Sequence, residues 1–597
     1  MSVVPSVVNT LSWQQIRQQI FKHKPVLIKA HVIALLATLV SVPIPLMMPL
    51  LVDEVLLNQP GKAVDLMQQF LPQSWHGPTA YILFILAMVC CMRIAALILG
   101  VAQSRQFTII GKQISFQIRE QVLDFLPKVS LREYETQGAA AISARCVTDV
   151  ETLDKFISVS LSKLLMSVMT IIGVAGILLW IDWTLGLIII VLNPAVIYFS
   201  RSFGKRVKQL KRKENAAFEA FQLSLVETLD AINQLRTAQR EQQYFARVSD
   251  AAQQLRDYSI ESNWKTEAVE RLSFTIFLLG FEIFRAIAML MVVFSGLSVG
   301  EIFAVFGYLW FMMGPVQELL SMQYSFFGAQ AAMSRLNELL ALETEPFYPN
   351  KVNPFEQPEK GISVEIENVD FYYSKNKPLL KQVSMQIEAG QKAAIVSVSG
   401  GGKSTIVQLL LGLYQAQAGA IRYNRHSIED IGYQCVRNNV ATVLQQPILF
   451  NTTIRENLSM GNSFSDSEIW SALKLAELES TVRELKDQLN TRIGRNGVRL
   501  SGGQRQRLAI ARMLLSDPKV VILDEATSAL DTETEARILA NLDSFLKGRT
   551  TLIIAHRLSA IQRADLIYVL DDGKMTQSGS HRDLIDTPGL YQTLYSN

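Results

Sequence analysis

The sequence predicts a multi-domain membrane protein: an all-α domain of six bilayer-crossing helices, followed by an α/β domain built around a phosphate-binding loop. Three observations carry this expectation. The first half of the 597-residue chain holds six apolar stretches, each about as long as the ~20 residues needed to cross a ~30 Å hydrocarbon core. The segments between them sort positive charge to one side. In the second half, the run Ser397-Val398-Ser399-Gly400-Gly401-Gly402-Lys403-Ser404-Thr405 follows an apolar strand at 393–396 and precedes an apolar helix at 406–414.

The composition agrees. The chain is 49% hydrophobic with a mean hydropathy of +0.20. A net charge of +3 gives no bulk attraction to nucleic acid. Four cysteines (Cys90, Cys91, Cys146 and Cys435) form no metal-ligand pattern and no disulfide framework. The N-terminus carries neither a cleavable signal nor a transit segment.

Residues 1–29 form an amphipathic N-terminal segment, with a helix over 11–28 (Leu11, Ile16, Ile20 and Phe21 against Arg17, Lys22 and Lys24) lying on the inner membrane surface. The membrane domain spans 30–342, with crossings at 30–52, 80–101, 159–181, 184–202, 274–294 and 302–322. The third and fourth abut at Ile181-Asp182-Trp183, a tight hairpin. Segments 53–79, 182–183 and 295–301 hold a single basic residue, Lys62, whereas 103–158 and 203–273 hold many, among them Arg119, Lys128, Lys205, Arg206 and Arg212. The protein is therefore multi-pass with both termini cytoplasmic. A soluble bundle of buried helices would have no reason to obey one charge rule across six segments. Segments 103–158 and 203–273 contain few Gly or Pro and should continue the spans as cytoplasmic helices. Arg93, Glu282 and Arg285 are ionisable residues within spans. Each costs ~2.5–3.5 kcal/mol at mid-bilayer unless partnered or wet. Glu282 and Arg285, three apart on one helix face, form either a structural pair or a polar patch lining a substrate cavity.

Residues 343–361 carry Pro346, Pro349, Pro354 and Pro358 and read as a linker. From 362 to 597, short apolar strands alternate with helical segments, the pattern of an α/β domain with a mainly parallel sheet. In the phosphate loop, backbone N–H groups and the helix N-terminus face phosphate oxygens. Lys403 supplies a point charge and Ser404 a hydroxyl for Mg²⁺. Val520-Val521-Ile522-Leu523-Asp524-Glu525 is an apolar strand ending in two acids. Asp524 is suited to hold Mg²⁺, directly or through water, and Glu525 to polarise an attacking water. ATP and Mg²⁺ are the expected cofactors. Nucleotide chemistry beside membrane spans suggests driven movement across the bilayer.

Leu500-Ser501-Gly502-Gly503-Gln504-Arg505-Gln506-Arg507 resembles the signature motif of ATP-binding cassette (ABC) proteins, and its glycines open another helix N-terminus. With six spans in front, nearly the whole chain resembles a half-transporter of the ABC exporter superfamily, of type I architecture. The resemblance implies roles for further residues. Tyr373, in Val369-Asp370-Phe371-Tyr372-Tyr373, matches the aromatic that stacks on adenine, and Gln445 the glutamine that senses Mg²⁺ and the membrane domain. Ser501, Gly502, Gly503 and Gln504 would close on a nucleotide held by a second subunit. Asp531, in Ser528-Ala529-Leu530-Asp531, matches the loop linking two ATP sites, and His556, in Ala555-His556-Arg557, a histidine at the γ-phosphate. Lys403, Glu525 and His556 are thus the candidate catalytic residues, and Ser404, Gln445 and Asp524 the candidate metal ligands. Coupling helices are expected near 132–138 and 214–221. Two residues depart from the family pattern. Ser397 stands where the loop usually starts with Gly; Ser takes φ > 0 only at a cost, so the loop is either slightly strained or simply accommodates Ser. Arg495 stands where exporters generally carry an acid.

The resemblance implies a dimer, with a second copy or a related half-transporter, in a bacterial cytoplasmic (inner) membrane. It would export an amphipathic or hydrophobic substrate, whether drug, lipid or peptide, by ATP-driven alternating access. An ATP-gated channel or regulator without uphill transport is the alternative, and a soluble cassette ATPase conflicts with six spans. About 29 residues precede the first span, so leader cleavage by an N-terminal cysteine protease domain is not expected.

Overall fold

The computed structural model describes residues 10–57, 61–70, 72–295, 298–356, 361–374, 377–398, 400–494, 497–554 and 557–595. The chain divides into two compact units: residues 1–127 with 137–342, and 128–136 with 343–597.

The first unit is helical. Among the described residues, five helical stretches are long and apolar enough to cross a membrane: Lys24–Leu56, Pro78–Lys128, Ala141–Ile181, Glu241–Leu290 and Val299–Leu340. The remaining expected span, 184–202, lies in the helix Trp183–Asp230. In lipid every backbone polar group must be satisfied within the segment, so helices are the available form. Their apolar surface is turned outward. Leu83, Leu86, Ile94, Leu97 and Ile98 are all exposed in the chain. Pro78–Phe125 and Trp183–Asp230 run 48 residues each, about 72 Å at 1.5 Å per residue and more than twice a hydrocarbon core. Beyond the apolar stretches, polar pairs lock these helices internally. Lys112 and Ser115 both donate to the buried Asp154 (2.5 and 3.1 Å), and Arg335 clamps the buried Asp149. The tight hairpin forms as expected: Asp182 is extended and caps the next helix by accepting from the Thr184 N–H at 2.7 Å.

Several boundaries differ from expectation. The helix expected over 11–28 stops at Lys22, and a second starts at Lys24. Pro25 lacks an N–H and is tolerated only in a first turn, so the chain breaks before it. The first span is interrupted after Ser41. Pro43, Pro45 and Pro49 replace regular helix with a 3-10 turn at Ile44–Leu46, a single turn at Met47–Pro49 and a wide π-type turn at Leu50–Leu56. Asp53, expected in an external loop, is buried. It accepts from the Gly300 N–H (2.9 Å) and the Ser298 hydroxyl (2.5 Å) at the start of the last long helix. The expected coupling helix at 214–221 lies inside the uninterrupted helix Trp183–Asp230. The chain turns later, through the short helix Ile232–Thr237. With no Gly or Pro from 205 to 230, nothing stops the helix earlier. The counterpart expected at 132–138 is the helix Leu131–Gln137. Glu282 and Arg285 form an ion pair at 2.5 Å, each side chain about half exposed.

The second unit holds two sheets. Strands β1 (Val364–Phe371), β2 (Leu380–Ile387), β4 (Ala418–Tyr423) and β5 (His426–Ser427) form an antiparallel sheet in the order β2-β1-β4-β5. Strands β3 (Lys392–Ser397), β6 (Val440–Val443), β7 (Val520–Asp524), β8 (Thr550–Ile554), β9 (Leu566–Asp571) and β10 (Lys574–Gly579) form the second, in the order β10-β9-β3-β8-β7-β6. All of its neighbours are parallel except β10 with β9. A mainly parallel sheet therefore describes only one of the two. The sequence difference is physical: β3 and β7 are continuous apolar runs buried on both faces, whereas β2 alternates buried and exposed residues. Residues 343–356 are fastened within this unit. Glu345 donates its N–H to the Lys128 carbonyl and pairs with Arg437 through two bonds (2.5 and 2.9 Å), and Pro354 and Phe355 are buried.

Gly300 sits against the first span. A Cβ there would lie 2.4 Å from Asp53 Oδ2 and 2.6 Å from Pro49 Cα. Gly300→Ala should therefore destabilise by ~1–3 kcal/mol, read as a lower thermal unfolding midpoint of the purified protein. Gly100→Ala, with nothing within 4 Å, should leave that midpoint unchanged or slightly higher.

Candidate nucleotide site

The site grows from the carboxyl edge of the parallel sheet. The phosphate loop leaves β3 at Ser397 and re-enters regular structure as the helix Lys403–Leu410. Gly400 (φ 81°) and Gly402 (φ 101°) take left-handed backbone, which glycine adopts at little cost. Gly402 begins the helix, so Lys403, Ser404 and Thr405 form its first turn, three residues earlier than expected. The N–H groups of a first turn have no carbonyl to bond within the helix. The helix also ends earlier, at Leu410 rather than 414, where Gly412 (φ 63°) turns the chain away.

Ser397 is not strained. It ends β3 in register with Leu570, and its φ lies outside the left-handed region, so of the two expected outcomes the loop accommodates Ser. Lys403 is buried, and its ammonium lies inside the loop. It donates to the Ser397 carbonyl (3.1 Å), the Ser397 hydroxyl (3.0 Å) and the Val398 carbonyl (3.4 Å). Burial pushes its pKa below the ordinary lysine value, and the charges of Glu525 and Asp524 oppose that shift.

Asp524 is the last residue of β7, buried and in register with Ile554 of β8. Glu525 follows at φ 49° and donates its N–H to the Ile554 carbonyl at 2.9 Å. Its carboxylate accepts from Gln445 Nε2 at 2.6 Å. Gln445 lies two residues beyond the end of β6, so the fold joins two predicted site residues from different strands. Tyr373 lies two residues past the end of β1. Its hydroxyl bonds Thr405 (3.1 Å) and donates to Gln408 (2.8 Å) on the phosphate-loop helix. Its ring meets Phe371 and Tyr414 edge-on, with centroids at 4.9 and 5.2 Å.

Ser501 caps the helix Gly502–Leu515. Its hydroxyl accepts from the Gln504 N–H, and the Gln504 side chain accepts from the Ser501 N–H at 2.8 Å. Each of these side chains accepts from the other residue's backbone N–H, which closes the start of the helix. Gly503 lies tight against the next loop, where a Cβ would be 3.1 Å from the Ala529 carbonyl. Asp531 caps the helix Thr532–Leu546 by accepting from the Thr534 N–H at 2.9 Å, a bond that lowers its pKa. Ser399, Arg495 and His556 lie outside the described residues. Among the described residues, no three His, Cys, Asp or Glu side chains gather as a metal cage.

Sequence reasoning missed three supports. Buried Gln506 donates to the Glu525 carbonyl (3.3 Å) and the Ser528 hydroxyl (3.0 Å) and accepts from the Ala529 N–H (2.9 Å). Arg557 donates to the buried Glu535 (2.5 Å) and to the Ser528 carbonyl (3.1 Å). Tyr414 donates to Glu135 of the helix Leu131–Gln137, and burial together with that carboxylate pushes its phenol pKa up. The available signal for Gln506 was a polar residue on the same helix face as the buried Ile510 and Met513.

A strand–loop–helix phosphate cradle, an acid-ended strand beside it and membrane-length apolar helices in one chain define an ATPase coupled to transport. The chain belongs to the ABC transporters: residues 27–316 match the ABC transporter transmembrane region, and residues 380–528 the ABC transporter domain that binds ATP. It is 30% identical to a multidrug resistance ABC transporter ATP-binding and permease protein of Lactococcus lactis, over 98% of this chain and 97% of that protein. It is 29% identical to the ATP-dependent lipid A-core flippase of Burkholderia pseudomallei, over 86% of each. Its fold matches a bacterial Atm1-family ABC exporter with ATP bound, with a TM-score of 0.83 and 26% identity, over 96% of this chain and 98% of that one.

Gln506→Ala should lower stability by ~1–3 kcal/mol, because it deletes three bonds to the loop carrying Glu525 and Ser528. The unfolding midpoint of nucleotide-free protein should fall and ATP turnover should slow. An unchanged midpoint with full turnover would separate Gln506 from that loop.

Proposed function

We propose that this chain is one half of a dimeric exporter that uses ATP to move an amphipathic or hydrophobic substrate, such as a drug, lipid or peptide, out across a bacterial cytoplasmic membrane. Both termini face the cytoplasm, in line with the basic residues of segments 103–158 and 203–273. Likeness to a multidrug transporter and to a lipid flippase favours amphipathic cargo.

The observation that carries the reading is the bond between Gln445 and Glu525 beside the Lys403 loop. It sets a polar side chain and a candidate base at the edge from which the phosphate loop rises. In this reading Tyr373 stacks on the base of ATP. The loop 397–405 wraps the phosphates with backbone N–H groups, and the Lys403 ammonium, held inside the loop, meets the phosphate oxygens. Ser404, Gln445 and Asp524 are hard oxygen donors that suit Mg²⁺, an ion that takes few protein ligands when phosphates supply the rest. Bound there, Mg²⁺ would neutralise phosphate charge. Glu525 orients and deprotonates the attacking water, and His556 contacts the γ-phosphate. Ser501 to Gln504, at the N-terminus of their helix, close over the nucleotide of the partner subunit. Asp531 lies in the loop that links the two sites. Closure of the two nucleotide domains then turns the long helices and exposes the substrate path outward, and hydrolysis resets them.

Glu525→Gln should bind nucleotide like the wild type but lose about 10²–10⁴-fold in turnover. Persistent hydrolysis in that variant would remove Glu525 from its role. The transport reading is checked by ATP-dependent uptake of an amphipathic dye into inside-out vesicles against its gradient. Dissipation of the gradient on ATP addition would indicate a gated channel instead. Glu282→Gln keeps the shape and removes the charge. If the ion pair lines the substrate path, substrate-stimulated ATPase should change its selectivity, while the basal rate stays constant.

A further inference from the structure

Ser397 is the one described residue of the phosphate loop that departs from the family pattern, and its hydroxyl has a defined place. It is 3% exposed. It donates its single proton to the Val398 carbonyl at 2.9 Å, which leaves its lone pairs free to accept. Lys403 Nζ lies 3.0 Å away on that accepting side. A lysine ammonium has three donors. Among the described residues of this loop it has three acceptors: the Ser397 hydroxyl, the Ser397 carbonyl and the Val398 carbonyl. With glycine at 397 the third would be missing. Lys403 is itself only 8% exposed, and a buried ammonium short of a partner is costly. The loop also closes tightly around the hydroxyl, since a Cβ on Gly401 would lie 2.7 Å from Ser397 Oγ.

We infer that Ser397 is a positioning residue for Lys403: its hydroxyl holds the ammonium inside the loop, so that incoming phosphates meet a charge already in place. The inference rests on the proposed nucleotide site. Preorganised charge binds better than charge that must be recruited, because the side-chain ordering is complete before the ligand arrives. The loss on removing the hydroxyl should therefore fall on ATP affinity rather than on the chemical step.

The test uses the full-length protein in lipid nanodiscs, with ATPase rates measured across ATP concentration and binding followed with a fluorescent ATP analogue. Ser397→Ala should raise KM and the analogue's Kd about 10–150-fold, the size of one hydrogen bond to a charged group, with kcat changed less than about twofold. Ser397→Thr keeps a hydroxyl and should bring both constants back to within about twofold of wild type. The inference is overturned if Ser397→Ala leaves KM and Kd unchanged, if its loss falls on kcat alone, or if Ser397→Thr is as impaired as Ser397→Ala. Should Ser397→Ala not purify, Ser397→Gly removes the same hydroxyl from a position where the loop pattern accepts glycine. Failure of the wild type to bind the analogue would instead reject the nucleotide site itself.

Discussion

The nucleotide half depends on one constraint: adjacent strands of its larger sheet run parallel from β6 through β7, β8 and β3 to β9. Parallel strands deliver their carboxyl ends to the same edge. Ile395, Ile554 and Asp524 lie in one row across β3, β8 and β7. One or two residues beyond that row come Glu525 and the phosphate loop, with Gln445 just past β6. Residues up to 128 positions apart in sequence thus reach one another with no long-range device other than sheet register. That register is well guarded. β3 and β7 are buried on both faces, and a slip of one residue would exchange every side chain between two closed layers. The plain Ala, Val, Ile and Leu of these strands therefore position the site as firmly as the polar residues that form it.

The helical half answers to a different solvent. Its backbone is closed within helices, and its outer side chains are leucine and isoleucine where a soluble protein would be polar. One stretch where regular helix fails, 42–56, follows from three prolines that cannot donate. There a buried carboxylate becomes useful: Asp53 accepts from the Gly300 N–H and the Ser298 hydroxyl, so orphan donors at the start of the last long helix are satisfied by the irregular segment beside it. Ser298 and Glu301 add a capping box at the same helix end. The irregular segment and the helix terminus thus satisfy each other.

Much of this was legible in sequence, and the failures are informative. Span existence follows from length and apolarity, and the phosphate loop, the acid-ended strand and the signature from residue type at fixed spacing. Boundaries were less readable. The turn at 231–240 carries no glycine or proline, so nothing in composition marks it. Pro25 did mark a break, but its neighbours continue an amphipathic pattern that masks it. Ser397 left two outcomes open because its position is usually glycine; the strand extends one residue further and spares it strain. Gln506, Tyr414 and Glu135 were missed because their partners lie 19 to 279 residues away in the chain, a separation no local pattern reports.

Glu525 shows how the constraints combine. A non-glycine residue at φ 49° carries strain of ~1–3 kcal/mol, which persists only where the surroundings over-determine it. Four bonds do so here: its N–H to the Ile554 carbonyl, its carbonyl to the Ser528 N–H and to the Gln506 side chain, and its carboxylate to Gln445. They come from β8, the following loop, the signature helix and the segment after β6. The candidate base is therefore held by four separate segments of the chain. Among the described site residues outside the glycines, the left-handed strain falls on the one that chemistry would ask to act as base.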